Sequence, residues 1–232
     1  MRHIIFDTET TGLDNSVDRV IEIGGVELDN HFPTGRSFHV YISPGDRKVH
    51  PDALAVHGIT DEFLADKPAF AAIIDELMAF FDGAHLVAHN ATFDIGFLNA
   101  EFARLGLPAI ASERVVDSLA LARRRHPMGP NSLDALCRRY GIDNAHRTKH
   151  GALLDAELLA EVYIEMNGGR QAALGLVAEV DEAGTVEAGA VAISSAVRPE
   201  PLPSRLSEEE KAAHEALVAT LGDKALWAEL GY

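Results

Sequence analysis

Short apolar runs, broken at intervals by polar residues and glycine, mark the early chain as strand-rich. His3–Phe6, Val20–Leu28 and Phe38–Ile42 are β-branched or aromatic runs bounded by Gly, Asn, Asp and Pro, which predicts strands. They follow one another without helical spacing, so an antiparallel meander within a sheet is expected. The period then changes. Ile73, Ile74, Leu77 and Phe80/Phe81 recur at i, i+3/i+4 and i+7, predicting a helix over 70–81. Next come a short strand at His85–Ala88, a helix over 92–105 closed by Gly106, and a strand at Val115–Val116. Helices are expected over 118–125, 132–140 and 152–166. Asn131 would be the N-cap of the middle one, and Gly141 and Gly168 would stop the last two.

The texture changes at residue 168. Over 168–204 Ala, Gly, Val, Glu and Pro dominate, and 198–203 (R-P-E-P-L-P) is a stiff extended stretch, so this part reads as a linker. Alternation over 177–193 also allows a weak hairpin. Ser207 to Glu210 forms a capping box before a helix at 212–221, and Trp227, the sole tryptophan, follows. A segment of this size, 205–232, buries little by itself and suits a partner-docking element. Residues 1–167 are thus expected to form an α/β domain.

Composition narrows the class. The 232 residues are 47% hydrophobic and 24% charged, which excludes a wholly disordered or collagen-like chain. The single cysteine, Cys137, rules out an internal disulfide and fits a reducing compartment. No apolar run approaches the roughly 18 residues of a membrane span, and the N-terminus enters a strand pattern directly, so a cytoplasmic protein is expected. The formal net charge of −16 speaks against unaided grip on nucleic acid. That excess is uneven, because Arg114–His150 carries 8 basic against 3 acidic residues.

Carboxylates carry the candidate chemistry. Asp7 and Glu9 are two apart at the end of the first strand and project to one face. Paired carboxylates there suit a hard cation such as Mg²⁺ or Mn²⁺, although D-T-E alone is equally a solvated strand end leading into a glycine turn. Asp94 lies early in a helix, within His89-Asn90-x-x-x-Asp94, where by itself it reads as a charge complementing the helix dipole. Asn90 reads as a cap of that helix. Asp155 sits on the apolar stripe of the last helix of the domain and therefore needs a partner. His150 is five residues before it, about 140° around a regular helix, so the two meet only if His150 stands on the preceding loop.

In that order and frame, D-x-E, H-N-x-x-x-D and H-x-x-x-x-D make residues 3–166 resemble the histidine-containing branch (DEDDh) of 3′→5′ exonucleases. The resemblance implies a ribonuclease-H-like fold: a mixed five-stranded sheet flanked by helices. It implies two divalent cations, with Asp7 bridging both, Glu9 and Asp155 completing one site, and Asp94 supporting them through water. It makes His150 the general base for the attacking water, a task suited to a near-neutral imidazole.

The match extends further. The stretches 38–41 (FHVY), 56–64 (VHGITDEFL), 131–137 (NSLDALC) and 150–156 (HGALLDA) look like those of the epsilon proofreading subunits of bacterial DNA polymerase III. That resemblance assigns Asp52 and His57, along with Asp7, Glu9 and Asp155, to the 3′-terminal nucleotide of DNA. Read structurally, Thr60-Asp61-Glu62 is equally a helix start. The resemblance also implies that the C-terminal segment docks on the polymerase alpha subunit and that Gln171, Leu174 and Leu176 form a weak sliding-clamp-binding peptide. The alternatives are a stand-alone DEDDh exonuclease acting on small RNA or repair intermediates, or a non-catalytic interaction subunit.

Overall fold

A computed structural model describes residues 1–145, 150–169 and 207–221 of the chain. The strands are β1 (Arg2–Thr10), β2 (Val20–Asp29), β3 (Phe32–Tyr41), β4 (His85–Ala88) and β5 (Val115–Asp117). They form one five-stranded sheet in the order β3-β2-β1-β4-β5. The meander β1–β2–β3 is antiparallel as expected, while β4 and β5 add parallel strands on the other side of β1. Parallel addition needs a crossover, and helices supply it.

The helices are α1 (Pro51–His57), α2 (Asp61–Leu64), α3 (Phe70–Phe81), α4 (Ala91–Arg104), α5 (Ser118–Arg125), α6 (Leu133–Tyr140), α7 (Ala152–Met166) and, in a separate unit, α8 (Glu208–Leu221). Because strand side chains alternate, β1 feeds two cores. Ile4 and Phe6 pack with Phe70, Leu77, Phe97 and Phe102 of α3 and α4. Ile5 packs with Leu136 of α6 and Leu158, Leu159 and Val162 of α7. Central β1 is therefore buried on both faces, and its continuation beyond Phe6 lies between α4 and α7.

β1 runs on from the apolar His3–Phe6 through Asp7 and Glu9 to Thr10, keeping both carboxylates on the strand as expected. Several expectations change. β3 starts at Phe32, not Phe38, because an edge strand tolerates the exposed stretch containing Pro33 and Gly35 that has no apolar alternation. Asn131 is not the cap of α6. Ser132 is, accepting the Ala135 N–H at 3.4 Å, while the Asn131 amide donates to the carbonyls of His126 and Gly129. Asn90 occupies the N-cap position of α4 in a left-handed conformation (φ 69°), and its side chain makes no capping bond. α1 was not expected as a helix, whereas α2 begins at the helix start offered by Thr60-Asp61-Glu62, with Thr60 accepting the Phe63 N–H at 3.2 Å. Asn167 and Gly168 (φ 109°) follow the end of α7.

In the C-terminal unit the capping box is present, with the Ser207 N–H donating to Glu210 Oε2 at 2.8 Å and the Glu210 N–H to Ser207 Oγ at 3.2 Å. The helix begins at Glu208, earlier than the expected 212, since the acidic residues form its first turn. The stretch 177–193, the candidate clamp peptide Gln171, Leu174 and Leu176, and Trp227 lie outside the described residues. No helix among the described residues is long and apolar enough to cross a membrane.

Candidate active site

Asp7, Thr8 and Glu9 prolong β1 past the end of β4, whose ladder with β1 stops at Ile5↔Val87. Strand alternation turns Asp7 and Glu9 to the α7 side, with Ile5, and Thr8 to the α4 side, with Phe6. On the α7 side, Glu9, His150 and Asp155 offer ligand atoms that all lie within 4.8 Å of one another. The expectation that His150 precedes the helix holds. Gly151 is extended (φ −156°, ψ 127°), and this break in helical geometry lets His150 Nδ1 reach Asp155 Oδ2 at 3.1 Å. His150 is about half exposed, whereas Asp155 and Glu9 are buried.

Asp94 is not part of this group. It is held on the α4 side by Thr8, whose hydroxyl and N–H donate to Asp94 Oδ1 at 2.7 and 3.1 Å. Burial pushes its pKa up to about 7, against the lowering effect of those donations. α4 itself is anchored by an ion pair from Glu101 to Arg19, with Nε···Oε1 2.7 Å and Nη2···Oε2 2.9 Å.

Two supporting residues escaped the sequence reading. Gly24 of β2 faces Asp7 across the ladder, and a Cβ there would come within 2.1 Å of the Leu153 nitrogen. The glycine lets the first turn of α7, and with it Asp155, sit directly on the sheet. The signal was the Gly24-Gly25 pair inside an otherwise apolar strand, where glycine marks close backbone approach. Thr8, the partner of Asp94, gave no signal, because the two are 86 residues apart.

Beside the carboxylates lies a cleft of about 500 Å³ lined by Thr8, Glu9, Leu13, His50, Asp52, Val56, His57 and Phe93, among others. α1 forms one wall, with Asp52 and His57 among the lining residues. His57 Nδ1 accepts the Ile59 N–H at 2.9 Å, so its neutral ring carries the proton on Nε2 and presents a donor. Leu13 is 85% exposed at the lip. The opposite rim is stiffened by Asp18. Burial raises its pKa, but donations from the Asp14 N–H, Arg47 and Thr11 outweigh this and leave it lowered.

A cation fits these residues. Buried carboxylates of the oxygen-rich kind favoured by hard divalent ions converge here with a histidine, and their burial is costly without positive charge. The exonuclease (RNase_T) family matches residues 4–163. DNA polymerase III subunit epsilon of Salmonella typhimurium is 49% identical over 242 aligned residues, covering 97% of this chain and 97% of that protein. The chain belongs to the DNA polymerase III epsilon family of exonucleases. The epsilon subunit of Escherichia coli K12 is 48% identical at the same coverage. Among solved structures, exonuclease X in complex with 5′ overhanging duplex DNA is 29% identical, with a TM-score of 0.53, covering 71% of this chain and 89% of that one. The nuclease domain of 3′hExo, a DEDDh member bound to rAMP, is 17% identical with a TM-score of 0.62 over 72% of this chain and 91% of that one, and agrees in fold. As an epsilon-family exonuclease, the chain requires divalent metal.

Proposed function

We propose that this epsilon-family exonuclease proofreads, removing mispaired 3′-terminal nucleotides of DNA as nucleoside 5′-monophosphates within the DNA polymerase III assembly. The observation that carries this reading is the convergence of Glu9, His150 and Asp155 beside a nucleotide-sized cleft to which Glu9 also belongs. Asp7, Glu9 and Asp155 would hold two Mg²⁺ or Mn²⁺ ions, with Asp94 contributing through water. Such ions, when bound, activate water and stabilise the leaving 3′ oxygen.

The chain's own groups do the rest. The Asp155 carboxylate accepts from Nδ1–H of His150, which orients the ring and leaves Nε2 as the atom that takes the proton of the attacking water. The half-exposed position of His150, on the loop before α7, supports this role. Leu13, Val56 and Phe93 give the terminal base apolar walls, and His57 Nε2–H and Asp52 meet the polar parts of the terminal nucleotide.

In this reading residues 1–167 form the exonuclease domain, 168–204 the linker and 205–232 the segment that docks on the polymerase alpha subunit, in the cytoplasm. Gln171, Leu174 and Leu176 contact the sliding clamp. The capping box of α8 supports a helix that forms without help from the catalytic unit. The test is digestion of paired and mispaired primer ends, by the chain alone and with its polymerase. Faster loss of mispaired ends, abolished by combining Asp7→Ala with Asp155→Ala, is expected. Undiminished excision by that double variant would sink the assignment.

A further inference from the structure

Arg123, Arg124 and Arg125 end α5, and Arg138 and Arg139 end α6. The two helix ends abut, since His126 Nε2 and the Tyr140 hydroxyl lie 2.7 Å apart. All five arginines are exposed. Arg139 is engaged with the Pro130 carbonyl and Asn131 Oδ1. No ion pair joins Arg123, Arg124, Arg125 or Arg138 to a carboxylate among the described residues. The nearby acids have other bonds: Asp117 accepts from Asn90 and Leu119, Asp134 from Asn144 and Asp143 from Ala145.

Helix-end stabilisation does not account for this cluster. A helix C-terminus carries roughly −0.5 charge, so the two ends together ask for about one positive charge, and five are present. α3 and α7 end with no basic residue in the last turn. In a chain of net charge −16, five clustered cations call for an anionic partner.

The position of the cluster identifies that partner. The loop leaving α5 returns so that the Asn131 carbonyl accepts from Nε2 of His89 at 2.8 Å, and His89 opens the turn into α4, which carries Asp94. His89 Nδ1 lies 3.0 Å from the Ser118 hydroxyl, and the Asn90 N–H donates to Asp117 Oδ1 at 3.2 Å, so α5 begins beside this turn. α5 therefore starts beside the turn into α4, the helix that carries Asp94, and ends, about 12 Å on at 1.5 Å per residue, in its arginines. At 3.4 Å per nucleotide along one strand, that distance is about three or four phosphates.

We propose that the Arg123–Arg125 and Arg138 cluster is a phosphate track that holds the DNA backbone several nucleotides upstream of the 3′ terminus being cut. The track rests on the exonuclease reading and adds to it the route by which the strand leaves the site. It is electrostatic and indifferent to sequence. It also explains how a strongly acidic protein takes a polyanionic substrate.

The test compares two substrates of the full chain carrying R123Q/R124Q/R125Q. One is a single-stranded oligonucleotide. The other is the p-nitrophenyl ester of thymidine 5′-monophosphate, which has the reacting phosphate but no upstream backbone. The expected result is a KM for the oligonucleotide raised at least about tenfold, with ester hydrolysis unchanged. The salt dependence of oligonucleotide binding should fall by about 2 in log–log slope, at roughly 0.7 per lost phosphate contact. The R123K/R124K/R125K variant should retain near-native affinity. An unchanged KM and slope, equal loss on both substrates, or loss in the lysine variant would each overturn the track. Hydrolysis of neither substrate by the unsubstituted chain would instead overturn the exonuclease reading.

Discussion

The Thr8 hydroxyl donates to Asp94 at 2.7 Å and thereby ties the first turn of α4 to the strand that carries Asp7 and Glu9. Its loss leaves a buried carboxylate short of a donor, a defect of about 1.5–3 kcal/mol for a charged group. Thr8→Val should therefore lower kcat for 3′-terminal excision by about tenfold to a hundredfold, with a smaller change in KM. Steady-state kinetics on a mispaired primer would read this.

The Asp94 carboxyl makes stability depend on pH. Its folded pKa of about 7 lies above the ordinary 3.8, so the protonated form favours the fold. This contribution is fully present below about pH 4 and is lost as pH rises through about 7. In chelator, urea unfolding should show a stability that declines over that window. Asp94→Asn should remove this component, leaving a variant more stable than the parent at pH 8 and lacking excision activity. Equal pH dependence in parent and variant would refute the assignment.

Gly24→Ala should damage activity more than its size suggests. The added methyl meets the backbone of Leu153, not a flexible side chain, so α7 must move. Overpacking of this sort costs about 1–3 kcal/mol. Thermal unfolding should report a modest loss and excision assays a disproportionate one, since Asp155 travels with the helix.

His150→Gln should reduce the excision rate by about 10²- to 10⁴-fold, as removal of a general base does. Glu9→Gln should instead weaken divalent-cation binding measured by calorimetry. If His150→Gln weakened the cation to the same extent, His150 would be a ligand and not the base.

Removing residues 204–232 should leave nuclease activity intact while abolishing co-purification with the polymerase alpha subunit. Persistence of the complex would move the docking site elsewhere.

Much of this was legible in the chain because the signals were local. D-x-E on a strand, a histidine just ahead of a helix, and a capping box are each set by residues a few positions apart. What escaped was set by distance or by the absence of apolar pattern. β3 begins earlier than expected because an edge strand needs no buried face along Phe32–Ser37. α1 is only seven residues long and starts on Pro51, too short for a periodic stripe. The choice of Ser132 over Asn131 as cap turned on where Asn131's amide was needed, in the turn before α6. The pairing of Thr8 with Asp94, and of Gly24 with Leu153, required the folded sheet.

The main-chain N–H of His150 donates to the carbonyl of Val56, and that of His50 to the carbonyl of Thr11. Helix α1 is thus hitched at one end to the turn beyond the strand that carries Asp7 and Glu9 and at the other to His150, the proposed proton acceptor. A base that presses on Val56 or His57 pushes on the same helix that steadies the histidine backbone. If the cleft takes the 3′ terminus and His150 is the base, seating of the terminus and alignment of His150 would be mechanically one event, and a poorly seated terminus would meet an idle catalyst.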